Sequence, residues 1–209
     1  MTIAGELVTL ADWRRQVAEL YAAVRHESDP GYAWRAFRAA RDHLFKTHAQ
    51  SPLAAEQRAA FVSLPYFRYD PAWRVQGTLD EQVSRDTFAV ELPAEGELRY
   101  TRVARVHFTV QQTAAVLSLF WLEGYGGGLF LPFRDASNGQ TTYPGGRYLY
   151  DTIKGADLNS SPERFILDFN FAYNPSCAYN ERWVCPLPPP ENRLAIPVVA
   201  GEQYPAGDG

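Results

Sequence analysis

The spacing of the apolar residues changes at Leu64-Pro65, from steps of three and four before it to alternation after it. A helix buries a stripe of side chains and a strand buries every second one, so this change predicts a helical N-terminal part followed by a β body. In the first part, Leu7, Leu10, Trp13, Val17, Leu20, Tyr21 and Val24 form one apolar stripe. Thr9, with Asp12 three residues on, resembles a capping box. A second helix is expected from Asp29-Pro30, Asp as the cap and Pro at the first helical position. Its stripe is Trp34, Phe37, Ala40 or Arg41, Leu44 and Phe45, and Ser51-Pro52 opens a third, short helix carrying Leu53 and Phe61.

Beyond Pro65 the strands are read from alternation. Trp73, Val75, Gly77 and Leu79 form one such set, and Phe88, Val90 and Leu92 a second. From Leu98 to Gln111 the face of Leu98, Tyr100, Arg102, Ala104, Val106, Phe108 and Val110 is mostly apolar, as expected for one long bent strand or a strand with a bulge. Val116 to Leu122 is a continuous apolar run, expected to be covered on both sides, and Leu129 to Phe133 resumes a strand after Gly126-Gly127-Gly128. Arg147 to Ile153 and Arg164 to Tyr173 look like hairpin partners, and Leu194 to Val199 like a last strand before a disordered Gly/Pro tail. The expected fold is α+β: N-terminal helices followed by a mainly antiparallel β-barrel or β-sandwich of about eight to ten strands. The expected organisation is one domain, residues 1–209, with helices over 1–63, the β body over 64–200 and a tail over 201–209.

Composition narrows the function classes. With 46% hydrophobic and 14% aromatic residues, the chain can build a core. A net charge of −4 argues against a nucleic acid partner, which needs a basic stripe. No apolar run approaches the length of a membrane helix, so no membrane partner is expected. Asp12, Arg14, Arg15 and Glu19 interrupt the N-terminal segment where a secretory signal would be apolar, which points to the cytoplasm. Two cysteines, Cys177 and Cys185, are too few for a disulfide scaffold.

Four strings occur together in order: WLEGYGGGLFLPFRD (Trp121–Asp135), TYPGGRYLYD (Thr142–Asp151), LDFNFAYNPSCAYN (Leu167–Asn180) and CPLPPPENRL (Cys185–Leu194). With SPLAAEQRAAF (Ser51–Phe61) and LPYFRYDPAWRV (Leu64–Val75), the chain resembles the bacterial and archaeal family catalogued as domain of unknown function 1684 over about residues 30–200. The resemblance implies no reaction, substrate, cofactor or catalytic residue. One departure is Pro144, where the family pattern leads to Gly; proline stiffens this loop and argues against a flexible lid.

Several groups could carry chemistry. The glycine loop Gly124–Gly128 could form an anion-binding nest, or a turn or bulge that needs positive φ. Gly145-Gly146 reads as a type I′ or II′ hairpin turn. Arg134 and Arg147 could clamp an anion beside these loops, or pair with Asp135 and Asp151. Along Phe165–Tyr173 one face carries aromatics and the other carries Asp168 and Asn170, then Asn174, which could line a polar pocket with Glu123, two residues past Trp121. The candidate ligand-binding set is Trp121, Glu123, Arg134, Arg147, Tyr148, Asp168, Asn170 and Asn174.

Two carboxylates could act as acid and base or hold a divalent ion; equally, they could satisfy loop amides or face solvent. Cys177 could be a nucleophile if a base such as His107 were near. The Cys177/Cys185 spacing and the scattered His26, His43, His48 and His107 make no zinc signature, and no metal site is expected. The two thiols could pack under a rigid loop or form a reversible disulfide. Cys185–Asn192 reads as a polyproline stretch that either docks a partner or packs across the β body with Tyr173, Tyr179 and Trp183 on its prolines.

Three readings follow. The first is a small-molecule-binding barrel or sandwich. The second is a hydrolase or transferase using Glu123 and Asp168 as acid and base, or Cys177 as nucleophile. The third is an interaction module acting through residues 185–192 or through the basic face around Arg35, Arg38 and Arg41. A tight turn in the glycine loop predicts that Gly127→Val costs about 1–2 kcal/mol and lowers the melting temperature; an unchanged melting curve would remove the turn.

Overall fold

The computed structural model describes residues 2–92 and 96–204, and within them three α-helices and seven strands. Helix α1 (Ile3–His26) is capped by Thr2, whose hydroxyl accepts from Gly5 N–H at 3.2 Å. Thr9 is therefore not a cap: helical turns continue upstream of it, and its hydroxyl donates to the Glu6 carbonyl at 2.8 Å. Helix α2 (Pro30–Thr47) starts as the sequence predicts, with Asp29 accepting from Gly31 N–H and Tyr32 N–H and Pro30 in the first turn, where its missing N–H has no partner to lose. Trp34, Phe37, Leu44 and Phe45 are buried on its stripe, and Arg41 with them. Helix α3 (Ala55–Ala60) begins after Ser51-Pro52, because Ser51 instead donates to the Phe45 carbonyl at 2.6 Å and closes the end of α2.

The strands are β1 (Arg74–Asp80), β2 (Thr87–Leu92), β3 (Gly96–Val110), β4 (Thr113–Leu122), β5 (Gly128–Phe133), β6 (Arg147–Asp151) and β7 (Phe165–Asp168). They form one curled antiparallel sheet, a half-barrel, in the order β6-β5-β4-β3-β1-β7, with β2 beside the first half of β3. The inner face of the sheet and the helices share one core, closed by contacts such as Phe37–Phe171 and Tyr21–Phe37, each 5.1 Å between ring centroids.

β3 alternates buried and less buried residues from Tyr100 to Val110, with Arg102 on the buried side. A bulge lies between Arg102 and Ala104 in its pairing with β4: Ala104 faces Leu119, whereas Arg102 faces Phe120. Because side chains alternate, this single extra residue switches the inward set of β4 from Leu117 and Leu119 to Phe120 and Leu122. The apolar run is thus not covered evenly on both sides: Val116 and Trp121 remain 40% and 43% exposed. Ser118 is buried because the Asn192 carboxamide accepts from its N–H and donates to its carbonyl and to that of Pro132, at 2.7–2.9 Å. Pro132 has no N–H to give, and Asn192 bridges the gap.

Fewer strands form than the eight to ten expected. Phe165–Tyr173 divides, because Asp168 accepts from Asn170 N–H at 3.1 Å and turns the chain into the 3-10 segment Phe169–Phe171. β6 and β7 are not a hairpin: β6 pairs with β5 and β7 with β1, leaving a single bridge between Tyr148 and Tyr173. Leu194–Val199 forms only the Arg134–Arg193 bridge: Leu194 N–H and the Ile196 carbonyl bond the backbone of Arg134 and Ala136, and beyond them the side chains of Asp135 and Arg147 take the N–H and carbonyl of Val198. Tyr143–Gly146 is a turn closed by Gly146 N–H on the Tyr143 carbonyl at 3.0 Å. Positive φ occurs only at its last residue, which excludes the I′ and II′ types. Gly127 does adopt positive φ, +39°, with space for a Cβ taken by the Trp121 ring at 2.5 Å.

The first residues of the expected tail are seated on the fold; residues 205–209 lie outside those described. Gly201 has φ +77°, and a Cβ there would sit 2.6 Å from the carbonyls of Phe169 and Ala172. Glu202 N–H donates to the Ala172 carbonyl at 2.8 Å and Gln203 N–H to that of Pro65 at 2.9 Å. This seating depends on Arg147, which is fully buried. Its Nη1 donates to the carbonyls of Ala200 and Glu202 at 2.5 and 3.1 Å, and its Nη2 donates to that of Val198 and to Asp135, each at 2.9 Å. Arg147→Met keeps the length but leaves the Asp135 carboxylate buried without its cation. Urea unfolding is expected to show a loss of about 3–5 kcal/mol; a loss below about 1 kcal/mol would show that the C-terminal segment seats itself without the guanidinium.

Candidate functional site

The helices do not fill the concave face of the sheet completely. A cavity of about 300 Å³ remains between α1 and α2, the inner residues of β2–β6, and the loop from Asn174 to Pro186. Its apolar wall is Leu10, Trp13 and Val17 from α1, Phe45 from α2, and Leu92, Leu98, Leu122 and Phe130 from the sheet. The amphipathic stripes and the strand alternation put them there.

The opposite wall is polar and buried. Arg41 Nη2 donates to Glu202 Oε2 at 3.1 Å, and the guanidinium lies over the rings of Phe45 and Tyr173. Glu202 also accepts from Asn174 N–H at 3.1 Å and from the Tyr179 hydroxyl. Asp151 accepts from Lys154 at 2.7 Å and from the Tyr173 hydroxyl at 3.3 Å. Tyr148 lines the cavity and donates to the Pro186 carbonyl at 2.6 Å, fixing the proline stretch to the sheet. Tyr100 does the same for the Leu187 carbonyl at 3.2 Å. Four buried polar atoms of lining residues have no partner among the described residues: Tyr21 Oη, Arg41 Nε, Asn174 Oδ1 and Trp183 Nε1.

Burial governs the titration of this wall. It pushes the hydroxyls of Tyr21, Tyr148 and Tyr173 upward, so they stay protonated and able to donate. It also raises the Glu202 carboxyl above the ordinary carboxylate range, against the pull of Arg41.

Of the candidate residues, Tyr148 and Asn174 line the cavity. Arg147 lies behind it, engaged with Asp135 and the C-terminal carbonyls. Asp168 and Asn170 are fully buried and point to each other: Asp168 Oδ1 accepts from Asn170 Nδ2 at 2.9 Å, Oδ2 accepts from Arg74 at 3.3 Å, and Asn170 exchanges two bonds with the Asp70 backbone. Glu123 stands on the exposed rim, paired with Arg99 at 3.4 Å and accepting from Thr101. The structure does not bring it to Asp168, and Trp121 lies on the exposed face over Gly127. Arg134 exchanges backbone bonds with Asn192 and Leu194 at 2.8 Å. Cys177 meets Tyr143 and Cys185, and Cys185 lines the cavity, whereas His107 faces Asp80 at 3.7 Å. Among the described residues no group of three or more His, Cys, Asp or Glu side chains is placed to hold a metal ion, and no helix is long and apolar enough to cross a membrane.

Sequence reasoning missed Tyr21, Arg41, Asp151, Lys154 and Glu202 as lining or supporting groups. Arg41 alone left a signal, a cation on the apolar stripe of α2. The basic face around Arg35, Arg38 and Arg41 is correspondingly not all solvated, since Arg41 is buried against Glu202.

An unfolded Glu202 ionises in the ordinary range and the folded one only at higher pH. The stability it contributes is therefore present at low pH and lost as pH rises through the raised value. Glu202→Gln, which cannot ionise, is expected to gain on the native chain between about pH 4 and pH 8 in urea unfolding. A variant that loses ground over that range would show that the Arg41 ion pair outweighs burial.

Residues 59–203 match the family described as protein of unknown function, DUF1684. Among solved structures, the chain is similar to the solution NMR structure of an uncharacterised protein of Haloarcula marismortui, with 36% identity and a TM-score of 0.63 over 83% of this chain and 93% of that one. No curated protein matches. The match over most of the β body, and the ordered strings that carry it, place this chain in the DUF1684 family.

Proposed function

We propose that this chain binds a small amphipathic molecule in the cavity between its helices and its half-barrel. The observation that carries the reading is a cavity of about 300 Å³ whose lining combines apolar and polar side chains. Tyr148, Tyr173, Asn174 and Trp183 bring polar groups to the lining of this otherwise largely apolar space, which suits a ligand with both an apolar body and a polar head. The apolar body of the ligand lies against Val17, Leu98, Leu122 and Phe130. The buried charges lining the cavity are already paired, Arg41 with Glu202 and Asp151 with Lys154, while Arg14 lies exposed at its edge. That favours an uncharged head with both donor and acceptor, such as an amide or alcohol, over an ion.

Native mass spectrometry of gently purified protein tests for a resident ligand as extra mass lost on denaturation. Dansyl amide, a neutral amphipathic fluorophore, tests the cavity directly. It is expected to bind one per chain with energy transfer from Trp13 and Trp183. Val17→Phe, which narrows the cavity, is expected to weaken binding about tenfold or more, and Glu123→Gln to leave it unchanged. A bare native mass together with no saturable binding, or equal binding by Val17→Phe, would overturn the proposal.

A further inference from the structure

Two thiols sit at the rim of the cavity. Cys177 belongs to the 3-10 turn Ser176–Ala178, and Cys185 opens the proline stretch and lines the cavity. Both are partly exposed. The Cys177 N–H donates to Cys185 Sγ at 3.4 Å, which brings the two residues together across the loop. The Cys177 sulfur accepts from the Tyr143 hydroxyl at 3.7 Å. The Cys177 sulfur, close to Cys185 and facing a hydroxyl donor, is thus placed to carry negative charge. The hydrogen bond from Cys185, and then that from Tyr143, hold the Cys177 thiol down to about 6 against burial. The same bond and burial push Cys185 upward.

We propose that Cys177 and Cys185 form a thiol–disulfide exchange site whose co-reactants are small disulfides. The Cys177 thiolate, its proton given to solvent, attacks one sulfur of the disulfide. The S–S bond of the co-reactant breaks, a mixed disulfide forms at Cys177, and the first leaving thiolate takes up a proton. Cys185 then loses its proton to solvent and attacks the Cys177 sulfur, expelling the second thiolate, which is protonated in turn. The cysteine pair is oxidised by two electrons and the small disulfide is reduced by two. The asymmetry of the pair sets the order, because attack needs a thiolate and the hydroxyl of Tyr143 favours one at Cys177. The product ties the Ser176–Ala178 turn to the start of the proline stretch, two segments that wall the cavity.

The test treats the reduced full chain with hydroxyethyl disulfide near neutral pH and follows whole-chain mass and peptide maps. The unaltered chain is expected to lose two hydrogens and release two molecules of mercaptoethanol. Cys185→Ser is expected to stop at a mixed disulfide on Cys177, and Cys177→Ser to react about tenfold more slowly or less. Iodoacetamide labelling of the unaltered chain needs no variant, and is expected to modify Cys177 first, with a midpoint near pH 6. A mixed disulfide that persists in the unaltered chain, or equal labelling of both cysteines with a midpoint in the ordinary thiol range, would overturn the proposal.

Discussion

The buried Arg147 guanidinium organises the part of this molecule where the cavity lies. It gathers three carbonyls of the Val198–Glu202 segment and one carboxylate, Asp135, at a point without solvent. Asp135 in turn accepts from Ser137 and Val198 N–H, so the loop after β5 and the C-terminal segment are held by one charge pair. That hold adds to the backbone bonds that Gly201 and Glu202 make with Phe67 and Ala172. With it, Glu202 is delivered beneath α2, where Arg41 requires a partner. The polar wall of the cavity is therefore assembled from segments far apart in sequence.

Buried ion pairs of this kind seldom add much stability over apolar packing, because desolvation offsets the Coulomb attraction. What they do here is fix position. Arg41 and Glu202 lock the register of the C-terminal segment against α2, and Lys154 with Asp151 orients the end of β6. The tyrosines between them, kept neutral by burial, act as rigid donors and ring faces. Phe130, Tyr148 and Tyr173 meet edge to face in turn, with centroid separations of 4.8 and 5.8 Å, and so carry the sheet toward the proline stretch.

The parts of the fold legible in the sequence were those set by local chemistry. The Asp29-Pro30 start of α2 depends on atoms within three residues, and the alternation of β3 on one apolar face. The β6–β7 pairing was misread because adjacency along the chain says nothing about which edge of a curled sheet a strand will find. Asp168 and Asn170 looked like pocket residues because a polar face on a strand ordinarily looks outward; the turn at Phe169 instead folds them against each other and the Asp70 backbone. Glu202 carried no mark, since a carboxylate in a Gly/Pro-rich end is ordinarily solvated. Its burial is decided by Arg41 and Arg147, each more than 50 positions away.

The bulge at Val103 changes which residues of β4 face inward while leaving one continuous core. Past it, Leu117 and Leu119 belong to the shared core; before it, Leu122 lines the cavity beside Leu98 and Phe130. A strand in strict register would keep one alternate set of side chains inward along its whole length. Here the rotation is absorbed at one residue. The near ends of β3 and β4 thereby reach the cavity through Leu98 and Leu122, while the far end of β4 turns Leu117 and Leu119 into the core, two roles taken by one strand pair through a one-residue change of register.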